Sequence, residues 1–121
     1  MRGYEQQARI MKALAHPVRL RILDILRREE ECVCHLTTVL GARQPYVSQQ
    51  LAILREAGLV SDRRDGLIIY YRLHDKRVAK VISAVREMLT GQPEFAEGWP
   101  PIPERPVSGC PCPKCEVKRS D

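Results

Sequence analysis

Five cysteines carry most of the chemistry in this chain: Cys32 and Cys34 as a C-x-C doublet, and Cys110, Cys112 and Cys115 as a trio close to the C-terminus. Thiolates are soft donors and select As(III), Sb(III), Cd(II), Pb(II), Zn(II) or Cu(I) over hard cations. As(III) takes three sulfurs in a pyramid, whereas zinc and cadmium usually take four donors. The doublet supplies two, and the trio is the available source of the rest. Residues i and i+2 diverge on a regular helix, but the start of a helix relaxes that geometry and its positive end favours thiolate. The spacer Gly91–Gly109 has 19 residues and spans at most about 60 Å, which reaches a doublet on its own subunit or on a partner. Two other uses of the thiols stay open: the trio binding metal by itself, and reversible disulfides. Clustered cysteines in a reducing compartment point to metal or redox chemistry, and an odd count fits a complete disulfide framework poorly. His35, beside the doublet, reads more readily as a packing or surface histidine than as a ligand.

The elements that position the doublet are legible from spacing. Residues 31–60 read as two short helices broken at Gly41, with Val33, Leu36 and Leu40 on one apolar face and Val47, Leu51 and Leu54 on the other. Gly41 suits the left-handed end of the first, and Pro45 suits the opening turn of the second. That is a helix-turn-helix, with the second helix shaped for a major groove. Arg43, Gln44, Tyr46, Ser48 and Gln49 fall on the side left for bases and phosphates.

Upstream, Tyr4–Ala15 and Pro17–Arg28 read as helices, followed by the acidic run Glu29–Glu31, expected to be a solvated approach to the next helix. Downstream, residues 60–73 read as a hairpin turning at Asp65-Gly66 through a type I′ turn. A hairpin after a helix-turn-helix is a wing, and Arg63 and Arg64 near its tip are candidates for phosphate contact. Lys76–Leu89 reads as a last helix, capped by Asp75, whose stripe Val78, Val81, Ile82, Val85, Met88 and Leu89 is expected to bury against the first helix and a partner subunit. From residue 91 prolines crowd the chain and no helical stripe is present, so the tail is expected to be irregular, with Phe95 and Trp99 as possible docking points. The organisation is thus 1–90, a mainly α domain with a β-hairpin wing, and 91–121, a Pro- and Cys-rich tail.

Charge follows that division. Residues 1–91 hold 16 Lys+Arg against 10 Asp+Glu, while residues 92–121 hold 4 against 5, so the basic character lies in the domain. A basic domain favours polyanions. No apolar run is long enough to span a membrane and the N-terminus lacks a secretory profile, giving a cytoplasmic expectation.

In this order the residues resemble the ArsR/SmtB family of winged-helix, metal-responsive repressors. The resemblance rests on Ala13–Leu23, Cys32-Val33-Cys34-His35-Leu36, Gln44–Leu51, Leu54–Val60, the wing Asp65-Gly66, and Tyr70-Tyr71-Arg72-Leu73, covering roughly residues 4–90. It implies a homodimer that leaves double-stranded operator DNA when an inducer binds. The C-x-C doublet resembles the arsenic-responsive branch, which implies As(III) or Sb(III) as inducer, with Cd(II), Pb(II), Zn(II) or an oxidant as rivals. Where that branch often has a third cysteine, this chain has Thr37; Asp75-Lys76-Arg77 lacks the Asp-x-His pair of members that sense zinc through the last helix. Arg43 and Gln50 replace a usual serine and histidine, which leaves operator details open. A zinc-binding protein-interaction module is the rival of another class. An enzyme is the poorest fit, because His16, His35 and His74 form no nucleophile–base pattern and no phosphate-binding glycine loop is present.

Overall fold

The computed structural model describes residues 1–93 and 98–120. Its elements are α1 (Arg2–Leu14), α2 (Pro17–Arg28), β1 (Glu31–Cys32), α3 (Val33–Leu40), α4 (Gln44–Glu56), β2 (Val60–Asp65), β3 (Ile68–Leu73), α5 (Arg77–Leu89) and α6 (Pro113–Ser120). His16 caps α2 by accepting the Val18 N–H at Nδ1, 3.2 Å, and Pro17 occupies the first turn, where its missing N–H costs nothing. Gly41 ends α3 at φ 62°, where a side chain would be strained. Ile22, Leu23 and Ile25 of α2, Leu36 of α3, and Val47, Leu51 and Leu54 of α4 form the centre of the core, all essentially without solvent exposure. This is a winged helix-turn-helix: α3 and α4 form the helix-turn-helix, and β2 and β3 form the wing.

Four local expectations are corrected. The wing's register pairs Asp65 with Ile68, so the turn centres on Gly66-Leu67, one residue later than Asp65-Gly66. Gly66 has positive φ and Leu67 does not, which excludes type I′ and fits type II′ with glycine at its first central position. The sheet has a third strand, β1, on the far side of β3, with Glu31 opposite Tyr71 and Cys32 opposite Tyr70. Two residues are too few to display a period, so spacing gave no sign of it. Pairing with β3 also draws Glu31 into the interior, at 3% exposure, instead of leaving the acidic run solvated. Third, α5 rests on α2 through buried Val78 and Ile82, leaving Val81, Val85 and Met88 exposed. Asp75 does act at its start, accepting the Arg77 N–H at 2.9 Å.

The fourth correction concerns the tail, which is irregular only as far as Cys112 and then forms α6. Proline-rich chain has few N–H donors and leaves its carbonyls available. Arg21 donates to the carbonyls of Pro100 and Pro101 (2.6 and 2.8 Å), and Arg28 to that of Ile102 (3.0 Å). Trp99 lies under the Arg86 guanidinium, 4.4 Å from its centroid, and Arg86 also pairs with buried Asp24 of α2. Trp99 therefore docks the tail, whereas Phe95 falls outside the described residues. No described helix is long and apolar enough to cross a membrane.

Candidate functional site

The doublet straddles the junction where β1 becomes α3. Cys32 is the last strand residue and the N-cap of α3, with extended backbone (φ −82°, ψ 161°), and Cys34 lies in the first helical turn. The kink between them defeats the i, i+2 divergence, bringing the two Sγ atoms to 2.9 Å without a disulfide. The tail returns over this junction. Cys110 closes a turn by donating its N–H to Val107 O (3.0 Å), Cys112 opens α6 by accepting the Glu116 N–H (3.0 Å), and Cys115 sits in the first turn of that helix. All three tail cysteines are buried, together with Cys32, Tyr70 and Val107.

Six donors thus converge, in two groups sharing one member. Cys32, Cys34 and Cys112 place their sulfurs within 4.8 Å of one another; His35, Cys110, Cys112 and Cys115 do the same with one nitrogen and three sulfurs. His35 faces the trio through Nδ1, at 3.6 Å from Cys110 Sγ, 3.9 Å from Cys112 Sγ and 3.5 Å from Cys115 Sγ. Its Nε2 lies 3.3 Å from a Glu31 carboxylate oxygen. Sequence reasoning set His35 aside. The missed signal was the trio itself, which offers three of the four donors a tetrahedral ion takes, with His35 adjacent to the doublet as the remaining one.

Electrostatics at the centre are set by burial. Burial first, then the neighbouring Cys34 thiol, push the Cys32 thiol well above the ordinary cysteine range. That corrects the expectation that the helix start would favour thiolate at this position: loss of solvent outweighs the helix end. Burial likewise pushes Cys110 up to about 12. Cys112 is the exception. Burial opposes its ionisation, but the Cys115 backbone N–H and the thiols of Cys110, Cys115 and Cys32 donate to it and hold it below the usual value. Burial, then the Lys114 ammonium, lower the His35 pKa and keep the imidazole neutral. Around this centre Arg105 pairs with Glu29 and Glu31, and Lys114 donates to the Glu30 carbonyl.

The second surface is formed by α4 and the wing. Val47, Leu51 and Leu54 turn into the core, leaving Arg43, Gln44, Tyr46 and Gln49 exposed and Ser48 half-buried. Gln50 is buried, and its Oε1 accepts from Arg19 at 3.0 Å, tying α4 to α2. On β2, Arg63 and Arg64 alternate faces. Arg64 is exposed. Arg63 instead makes a bidentate pair with Glu30, at 2.7–3.0 Å, and lies 4.5 Å over the Tyr70 ring. It therefore points to the thiol centre's edge.

The chain's relatives share this architecture. The family described as "Bacterial regulatory protein, arsR family" matches residues 16–62. The Biofilm growth-associated repressor of Agrobacterium fabrum is 45% identical over 76 residues, covering 63% of this chain and 65% of that protein, so the chain spans just under two thirds of that relative. The Arsenic resistance transcriptional regulator ArsR1 of Pseudomonas putida is 43% identical over 91 residues, covering 74% of this chain and 68% of its own length. Among solved structures, the homodimeric winged helix-turn-helix DNA-binding domain of a Mycobacterium bovis protein superimposes with a TM-score of 0.69 at 34% identity, over 80% of this chain and 90% of that one. Identity at this level over two thirds of a relative, on a shared winged helix, makes the chain a member of the arsR family of bacterial regulatory proteins.

Proposed function

We propose that this chain is a dimeric transcriptional repressor that leaves its operator DNA when As(III) or Sb(III) is bound by Cys32, Cys34 and Cys112. The observation that carries the reading is the mutual approach of those three sulfurs within 4.8 Å, an all-sulfur triplet with Cys32 and Cys112 buried and Cys34 half-buried. Cys112 supplies the donor that Thr37 lacks, from the chain's own tail. The named activity of the Pseudomonas putida relative, arsenic resistance regulation, supports the same inducer class.

The reading face consists of Arg43, Gln44, Tyr46, Ser48 and Gln49, with Arg64 on phosphate. A groove of about 640 Å³ between α1, α2 and α5, lined by Met11, Leu20, Val81 and Val85, supports a second copy as its occupant, as in the homodimeric Mycobacterium bovis domain. The metalloid hydroxide exchanges its three hydroxyls for the three sulfurs, each thiol proton leaving with a hydroxyl as water, and the new bonds draw the β1–α3 junction toward the tail. Because α3 packs on α4, movement at that junction reaches the reading helix.

The test uses the reduced full-length protein and a labelled duplex selected from a random pool, read by fluorescence anisotropy. Arsenite should release the duplex from the parent. Cys112→Ser should bind the duplex equally well and resist release. Release of Cys112→Ser at the parent's arsenite concentration would overturn the assignment.

A further inference from the structure

We propose a second metal site in the same tail: His35, Cys110, Cys112 and Cys115 hold one resident divalent thiophilic cation, Zn(II), which fastens the tail to the winged domain. The inference stands whether or not a metalloid is the inducer.

Distances carry it first. A tetrahedral zinc with Zn–S near 2.3 Å and Zn–N near 2.0–2.1 Å separates its nitrogen from each sulfur by about 3.6 Å. Nδ1 of His35 lies 3.6, 3.9 and 3.5 Å from the three sulfurs. Hydrogen bonding does not account for that arrangement, because one imidazole nitrogen offers a single lone pair or a single proton to three thiols. One ion at the centre satisfies all four donors.

The surroundings point the same way. Ligating histidines usually donate their other ring N–H to a carboxylate, which fixes the tautomer. Here Nε2 lies 3.3 Å from Glu31, so the proton belongs on Nε2 and the lone pair of Nδ1 faces the sulfurs. Glu31 is 3% exposed and is itself paired with Arg105 from the tail. A divalent ion would offset two of the three thiolate charges, with Arg105 and Lys114 beside the pocket against Glu31 and the more exposed Glu29. Apolar packing is a weak alternative fastener: besides cysteines, the small cluster around the trio holds Tyr70, Val107, Val39 and Ile68. The mixed nitrogen–sulfur set of four suits a tetrahedral divalent ion, and the all-sulfur set of three suits a metalloid. Cys112 belongs to both, and a thiolate sulfur has lone pairs enough to bridge two ions.

The test takes the metal-free, phosphine-reduced full chain and titrates it with Zn(II) against a chromophoric chelator, and with Co(II) by absorption. One equivalent of Co(II) should give intense tetrahedral ligand-field bands with sulfur charge transfer, and Zn(II) should protect Lys114 and Lys118 from trypsin. Cys115→Ser and His35→Ala should lower Zn(II) affinity roughly 100-fold or more, and Glu31→Gln about 10–100-fold. The double variant Cys32→Ser, Cys34→Ser should retain the site. Circular dichroism checks that His35→Ala is folded, and Cys115→Ser, which leaves the winged domain untouched, decides the matter if it is not. Unchanged affinity in Cys115→Ser, or loss of Zn(II) in the doublet variant with Cys115→Ser unaffected, would overturn the proposal. No DNA or arsenite enters these measurements, so either reading can fail without the other.

Discussion

At the scale of single residues, the proposed function divides between side chains that read and side chains that hold. Gln49 is exposed on α4, one position before buried Gln50, which Arg19 anchors. A glutamine on a recognition helix can pair bidentately with adenine, and a good pair of this kind discriminates by about 1–3 kcal/mol. Gln49→Ala should therefore relax sequence choice in a selection from random duplexes, with little loss on non-specific DNA. Arg64→Ala should weaken all duplexes alike and reduce the slope of log affinity against log salt by about 1. Equal behaviour of both variants would mean that the reading face lies elsewhere. The reading helix was legible because its inward side is a spacing, Val47, Leu51 and Leu54, and what remains faces out. His35 was not legible on the same grounds. Its role depends on Glu31 behind it and three sulfurs some 75 to 80 residues away, and no local pattern encodes a partner at that separation.

At the scale of elements, the proposed function makes the β1–α3 junction the place where sensing and reading meet. Glu31 opens β1 and Glu30 precedes that strand, and the two turn to different partners. Glu31 faces His35 and Arg105, whereas Glu30 takes Arg63 of the wing, and the Glu30 carbonyl accepts from Lys114 of the tail. Lys114 sits between Cys112 and Cys115, so a change at the thiol centre has a short path to a wing arginine. The Arg63 guanidinium holds the Glu30 carboxyl below the usual carboxylate range, so the pair persists across neutral pH. Glu30→Ala should free Arg63 for phosphate: DNA binding should tighten, and the salt slope should steepen by about 1. Anisotropy titrations over a range of salt measure both. If affinity and slope match the parent, Arg63 does not reach DNA from this position. Neither partner of this pair could be assigned from sequence, where the acidic run reads as solvent-facing and Arg63 as a wing-tip residue. A two-residue strand reorganises both, and its only encoding is the complementarity of β3 on its other side.

At the scale of the whole molecule, the tail is a third component of a domain whose other two are the reading face and the groove between α1, α2 and α5. Its docking rests on arginines of α2 that accept no help from periodicity, Arg21 and Arg28, and on Arg105 and Lys114 of the tail itself. None of these touches the exposed side of α4. Removing residues 108–121 should therefore leave operator affinity near the parent's while deleting Cys112 from the proposed metalloid triplet and the trio from the proposed zinc site. Coupling between inducer and operator is reciprocal: whatever factor the inducer takes from DNA affinity, DNA takes from inducer affinity. Such couplings are typically about 1–3 kcal/mol, or 5–150-fold. In the truncated chain that factor should fall to near one in both directions. Two titrations read it: operator affinity with and without arsenite, and arsenite affinity with and without operator. Retention of the parent's coupling by the truncated chain would place the sensor wholly within residues 1–107 and leave Cys32 and Cys34 to find their third donor there.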